Sequence, residues 1–268
     1  MKLICLVENT EGCHGCIAEH GLSLYAETKN HKILLDFGQT DAMMKNAEKL
    51  GIDLKAVDNA FLSHGHYDHS GSLIRFAETN PDAKIYMQRK ALEKHYHDER
   101  YIGIDSKTGN LPNVRLLDGG IKINDELEVF TGITGRRLYP NGNLELETEY
   151  NGMRETDDFS HEQCLVITDG DKKYLLSGCA HNGILNILDR YTELYEKEPY
   201  AVITGFHMMK KTAYTAEEIN VIKSTAKELM KYDTLFVSGH CTSLPAFEIM
   251  KEIMGDRLIA MHSGEVIF

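Results

Sequence analysis

A strand-sized run, Asn59–Ser63, leads directly into His64-Gly65-His66-Tyr67-Asp68-His69, with Ser70 and Gly71 behind it. Four side chains of the kind that ligate metals thus fall within six positions at the end of a strand. On an extended backbone His64 and His66 point the same way, so they can grip one cation together. Asp68 and His69 lie a turn further on and can face a second cation close by. Imidazole nitrogen with a carboxylate oxygen suits zinc, and iron or manganese as well. A lone histidine is ordinarily a surface or core residue. Four ligand types this dense, with glycines allowing the turn, make metal binding the expectation.

The rest of the chain must build a fold around that stretch. Its 268 residues suffice for a sizeable core without covalent staples. With only 5 prolines and 22 scattered glycines, no linker divides it, so a single domain over 1–268 is expected. A hydrophobic fraction of 42% with 26% charged residues excludes a disordered tail or a coiled coil. The net charge of −12 argues against nucleic acid as a partner, because neutralising phosphates needs a basic field. Apolar runs such as Ala201–Thr204 are too short to span a bilayer, so no membrane partner is expected either. What remains is a small-molecule substrate, phosphorylated compounds included. Six cysteines without a secretion signal read as reduced thiols, and no small-residue cleavage site follows Leu3–Val7. The cytoplasm is the expected compartment.

Lys2–Val7, Gly21–Thr28 and His31–Phe37 read as strands, with Lys29-Asn30 as a hairpin turn. Asp41–Leu50 reads as a helix ended by Gly51, Gly71–Thr79 as another, and Lys84–Gln88 as a strand. The polar, glycine-broken segment Asn110–Gly152 is expected to form hairpins and a long loop. Strands are predicted again at Gln163–Thr168 and Lys173–Ser177. After Gly183, the residues Ile184, Ile187, Leu188, Tyr191 and Tyr195 share one helical face, which Pro199 should stop. Tyr200–Thr204 is strand-like, and Thr215 with Glu218 forms a capping box ahead of the stripe Ile219, Ile222, Ala226 and Leu229. Leu235–Ser238 is a strand and Ala246–Met254 a helix. Leu258–Met261 and Val266–Phe268 end the chain as strands. This order predicts an α/β domain with sheets enclosed between helices.

The His-x-His-x-Asp-His stretch resembles the hallmark of the metallo-β-lactamase superfamily. That resemblance implies an αββα sandwich with a dinuclear metal site between the sheet edges. His31–Gly38 looks like the strand and turn that precede the motif, with Asp36 as a carboxylate behind the ligands. The blocks Ala18–Leu24, Ser177–Gly183, Thr204–His207 and Gly239–Thr242 are similar to one branch, the 7,8-dihydropterin-6-yl-methyl-4-(β-D-ribofuranosyl)aminobenzene 5′-phosphate synthases and their relatives. On this reading His181, just past a strand, completes a first site with His64 and His66. His240, just past another, joins Asp68 and His69 at a second.

Cys179 stands where many superfamily members carry a bridging aspartate; its thiolate could bridge the metals, or it could be a packed thiol. His207 could contact substrate, act as a general acid or ligate. Glu19 and His20 are expected to hold ligand imidazoles in one tautomer. His161 is a competitor for a metal position. His14, His31, His95, His97 and His262 read as structural or surface residues. Cys13-x-x-Cys16 could be a redox pair, half a metal site or a simple loop.

Two divalent ions about 3.5–4 Å apart can share a hydroxide and polarise a carbonyl or phosphoryl oxygen. The generic expectation is a hydrolase of esters, lactones or phosphoesters, with Asp68, His207 and Cys179 as its catalytic side chains. The resemblance also implies a transferase that releases pyrophosphate, in which metals would stabilise the departing diphosphate. A redox or metal-binding protein built on Cys13 and Cys16 is the reading from another class.

Overall fold

Strand Lys2–Val7 pairs antiparallel with Ser23–Glu27, which turns back into Lys32–Leu35. The backbone N–H of Thr28 donates to the His31 carbonyl at 2.9 Å, closing the Lys29-Asn30 turn. From Lys32–Leu35 outward the pairing becomes parallel, through Asn59–Phe61 and Lys84–Gln88 to Val114–Leu117. A second sheet runs in the order Leu258–Ala260, Leu235–Ser238, Ala201–Ile203, Lys172–Leu176, Cys164–Asp169, Leu127–Phe130, Ile121–Lys122. These features come from a computed structural model that describes residues 1–12 and 15–268.

Period-two alternation decides which side chains meet. Leu3, Leu24, Leu35 and Phe61 from the first sheet pack against Val129, Leu165, Leu176, Ile203 and Val237 from the second. The intervening residues Ile4, Tyr25 and Leu34 face outward onto helices Ala42–Lys49 and Leu73–Thr79. Val166, Leu175, Val202 and Phe236 do the same on the other side, beneath Ile184–Tyr195, Ala216–Leu229 and Leu244–Met254. The layers are therefore α, β, β, α, as the sequence implies. Strands sandwiched on both faces read as nearly continuous apolar runs for this reason.

Several local expectations need correction. The helix expected at Gly71–Thr79 is two pieces, Tyr67–Ser70 and Leu73–Thr79. The helix expected to run to Pro199 ends at Tyr195, where Glu196 takes a left-handed φ of 52°. Val266–Phe268 adds a single bridge, Ile4 to Val266, rather than a strand. The capping box at Thr215 and Glu218 is formed in both directions. The largest addition is a third sheet, Met153–Thr156, Leu146–Tyr150, Lys94–His97 and Arg100–Tyr101, partly inside the segment expected to form hairpins and a long loop. Its strands are short and polar, and they are tied by cross-strand pairs such as Lys94 Nζ to Glu149 at 2.6 Å. Among the described residues no helix is long and apolar enough to cross a membrane.

The site is set by where strands end. Asn59–Phe61 leads to His64, Lys172–Leu176 to Cys179 and His181, Ala201–Ile203 to His207, and Leu235–Ser238 to His240. Parallel strands release these residues at one edge of the sandwich, the usual place for sites in layered α/β folds.

Candidate metal centre

His64, His69, His181 and His240 each expose 1% of their surface or less, and they converge in two pairs. The Nε2 atoms of His64 and His181 lie 3.3 Å apart. Those of His69 and His240 lie 3.2 Å apart, with Asp68 Oδ2 at 3.4 Å from His240 Nε2 and 3.8 Å from His69 Nε2.

The hydrogen-bond network assigns the ring protons. His69 Nδ1 is 2.7 Å from the Asp36 carboxylate, which can only accept, so Nδ1 carries the hydrogen. Ser63 Oγ donates to the same carboxylate at 2.7 Å and therefore accepts from His64 Nδ1 at 2.8 Å. His181 Nδ1 donates to Asn143 Oδ1, whose amide nitrogen is committed to the His181 carbonyl. His240 Nδ1 donates to Asn9 Oδ1 at 2.9 Å. With every Nδ1–H spoken for, the Nε2 atoms of each pair are left facing one another.

Two imidazole nitrogens held this close attract only through something positive between them, a proton or a metal ion. Two imidazole nitrogens at tetrahedral positions around zinc, each about 2.0–2.1 Å from it, would sit about 3.3 Å apart. Both observed separations fit. Burial lowers the basicity of His64, His66 and His181 well below the ordinary histidine value, which keeps them in the neutral form that binds metal. His69 differs: burial works against its charge, but Asp36 and Asp68 outweigh it and lift its pKa to about 9. Those two carboxylates favour a positive charge at His69, whether a proton or a metal ion supplies it.

Cys179 lies between the pairs. Its Sγ is 3.2 Å from His69 Nε2, and it falls within 4.8 Å of both the His64–His181 and the His69–His240 nitrogens. Without a metal, burial pushes the thiol up. Cys241, which sequence reasoning left aside, is a second buried thiol here, close to both Cys179 and His207. The His207 backbone, at a left-handed φ of 48°, donates its N–H to Cys241 Sγ at 3.3 Å. The His207 ring lies 4.1 Å from that of His181, tilted by 49°, and its Nδ1 is buried without a partner.

His66 lies with its ring 4.6 Å from His64 and 4.8 Å from His181. Its Nε2 is buried and has no hydrogen-bond partner. Behind it sits a second buried cluster, in which His66, His95, Asp157 and His161 bring their ligand-type atoms within 4.8 Å of one another. In the metal-free arrangement both ring nitrogens of His161 are engaged: Nδ1 accepts from Gly65 N–H at 3.0 Å and Nε2 donates to Asp157 at 3.2 Å. His95, expected to be structural or surface, is fully buried and donates from Nδ1 to Asp157 at 2.8 Å.

The outer residues divide. His20 does reach the ligand set, with Nε2 3.3 Å from Asp68 Oδ2. Glu19 does not; its carboxylate accepts from the Gln39 and Thr40 amides and the Thr40 hydroxyl, bracing the loop after Lys32–Leu35. The expectation that Glu19 orients an imidazole is corrected accordingly. Cys13 and His14 lie outside the described residues, and so does the Cys13–Cys16 motif as a unit.

The site forms the floor of a cavity of about 770 Å³, whose walls include Leu138, Ile184, Phe206, Met208, Arg100 and Lys211.

The model of the metallo-β-lactamase superfamily matches residues 18–240. The crystal structure of Tm1679, a metal-dependent hydrolase of the β-lactamase superfamily, is similar with a TM-score of 0.83 and 28% identity, over 100% of this chain and 98% of its own. MJ0448, an uncharacterised protein of Methanocaldococcus jannaschii, is 26% identical over 267 residues, 98% of each chain. The 7,8-dihydropterin-6-methyl-4-(β-D-ribofuranosyl)-aminobenzene-5′-phosphate synthase of that organism is 25% identical, over 100% of this chain and 96% of its own.

Proposed function

The chain belongs to the metallo-β-lactamase superfamily, and on that premise we propose that it is a metal-dependent hydrolase of a small-molecule ester, lactone or phosphoester. The observation that carries this reading is the close facing of Nε2 atoms in two buried histidine pairs, with the Cys179 thiol between them. His64, His66 and His181 would hold one divalent cation, and Asp68, His69 and His240 the other. A nitrogen-rich set with a thiol at its centre favours zinc. Such a pair of ions supplies Lewis acidity to a carbonyl or phosphoryl oxygen and acidifies water enough for attack near neutral pH.

The protein's own groups do the positioning. Asp36 braces His69 directly and His64 through the Ser63 hydroxyl, so one buried carboxylate orients a ligand of each set. Asn143 and Asn9 fix His181 and His240 in the same tautomer. His207 stands at the cavity wall beside His181, where its ring can give a proton to a leaving group. The apolar wall of Leu138, Ile184, Phe206 and Met208 would exclude bulk water from the substrate's body.

A transferase reading has its own support in the end-to-end likeness to the dihydropterin-type synthase and in a thiol at the central position. Zinc-loaded protein should be screened against phosphodiesters, lactones and thioesters, and for pyrophosphate release from pterin methyl-pyrophosphates. Hydrolysis of one class, abolished in His64→Ala, is the expected result. Pyrophosphate release with no hydrolysis of any class would replace the hydrolase with the transferase.

A further inference from the structure

The cluster behind His66 holds two buried nitrogens without partners, His66 Nε2 and His95 Nε2. Their rings lie 5.7 Å apart, edge to face, and each residue brings a nitrogen within 4.8 Å of the other's. Because His95 Nδ1 gives its hydrogen to Asp157, neutral His95 has a lone pair on Nε2. Asp157 is itself fixed at three points, by His95, His161 and the Phe159 N–H at 2.7 Å.

One orphan is thus an acceptor, and the other satisfies it only as a donor. A buried polar atom left unpaired is destabilising, and here a donor and an acceptor that would satisfy each other lie in one cluster. The backbone makes the same point: a Cβ on Gly65 would lie 2.9 Å from His95 Nε2 and 2.6 Å from the Ala91 carbonyl. Only glycine lets the segment between His64 and His66 press this closely on His95.

We propose that His95 and Asp157 are positioning residues for His66: His95 Nε2 accepts from His66 Nε2–H across one buried water, which leaves the His66 Nδ1 lone pair for the metal site. Asp157 holds His95 in the accepting tautomer. His161 ties the same carboxylate to the Gly65 backbone, so the relay and the loop carrying His66 are fixed together. This inference rests on the metal reading above.

The test is long-range ¹H–¹⁵N spectroscopy of histidine-labelled, zinc-loaded protein, with zinc affinities of His95→Leu and His95→Gln measured by chelator competition. His66 should carry its proton on Nε2 and ligate through Nδ1. His95→Leu should weaken one of the two zinc ions roughly 10–100-fold, and His95→Gln, which retains an acceptor, should recover most of the loss. Ligation through His66 Nε2, or unchanged zinc affinity in His95→Leu, would overturn the proposal alone. A third zinc equivalent lost in that variant would overturn it too, making the cluster a cation site. Wild-type protein that takes up no zinc would overturn the metal reading and this proposal with it. Should His95→Leu fail to fold, the wild-type tautomers decide.

Discussion

Cys179 Sγ lies 3.2 Å from His69 Nε2, on the seam between the two histidine pairs. A buried thiol in that position is either a ligand shared by two cations or an inert filler. The distinction matters because a carboxylate there leaves its charge on oxygen, whereas a thiolate is softer and favours zinc over harder ions.

If Cys179 touches the metals, it will resist alkylation in the metal-loaded protein and react once metal is removed, because a coordinated thiol is deprotonated and shielded. Cys179→Ala should then lower metal content, and Cys179→Asp should keep both metals while altering the activity profile. Peptide mapping separates Cys179 from Cys241, which lines the same cavity. Equal labelling with and without metal, beside a fully active alanine variant, would remove Cys179 from the site.

Asp68→Ala and His69→Ala should lose the second metal before the first, since both belong to the set with His240. Stepwise chelation followed by elemental analysis reads this directly. Simultaneous loss of both ions from a folded variant would mean the ligands divide differently.

Asp36→Asn should weaken both metals, because the carboxylate holds His69 directly and His64 through Ser63. Asp36 sits at a left-handed φ of 61°, which asparagine tolerates, so the backbone should survive. A fall of roughly 10–100-fold in affinity at each site, with the fold intact by circular dichroism, is expected.

Stability of the metal-free protein should fall on acidification below about pH 6.5, the ordinary histidine pKa. Burial lowers His64, His66 and His181 in the folded state, so the unfolded chain binds more protons there and gains as pH drops. His69 acts in the opposite window: raised to about 9, its contribution is complete below about 6.5 and is lost as pH rises through 9. Urea midpoints of chelator-treated protein from pH 5 to 10 should therefore peak near neutrality. Zinc should flatten the acidic limb only down to the pH at which protons displace it.

The layers and the strand-end histidines were legible because they rest on local signals. Period-two apolar runs announce doubly buried strands, and His64, His66, Asp68 and His69 are adjacent in sequence. His181 and His240 were expected at the site because the blocks that resemble the superfamily carry them and each follows a strand, and the fold brings them beside His64 and His69. His95 and Asp157 could not, since Lys94–His97 alternates weakly and its partner Leu146–Tyr150 lies about 50 residues on, in a segment broken by glycines. Ser63, Asn9 and Asn143 carry no pattern of their own; only the folded distances reveal that they set the tautomers. Glu19 misled for the converse reason, because its neighbour His20 reaches the site while its own carboxylate turns to the Gln39–Thr40 loop.

Metal stoichiometry tests the central claim most directly. Protein purified without chelator, reconstituted with zinc and desalted should carry close to two ions per chain by elemental analysis, falling toward one in Asp68→Ala. A firm value of zero or one in the wild type would contradict a dinuclear centre.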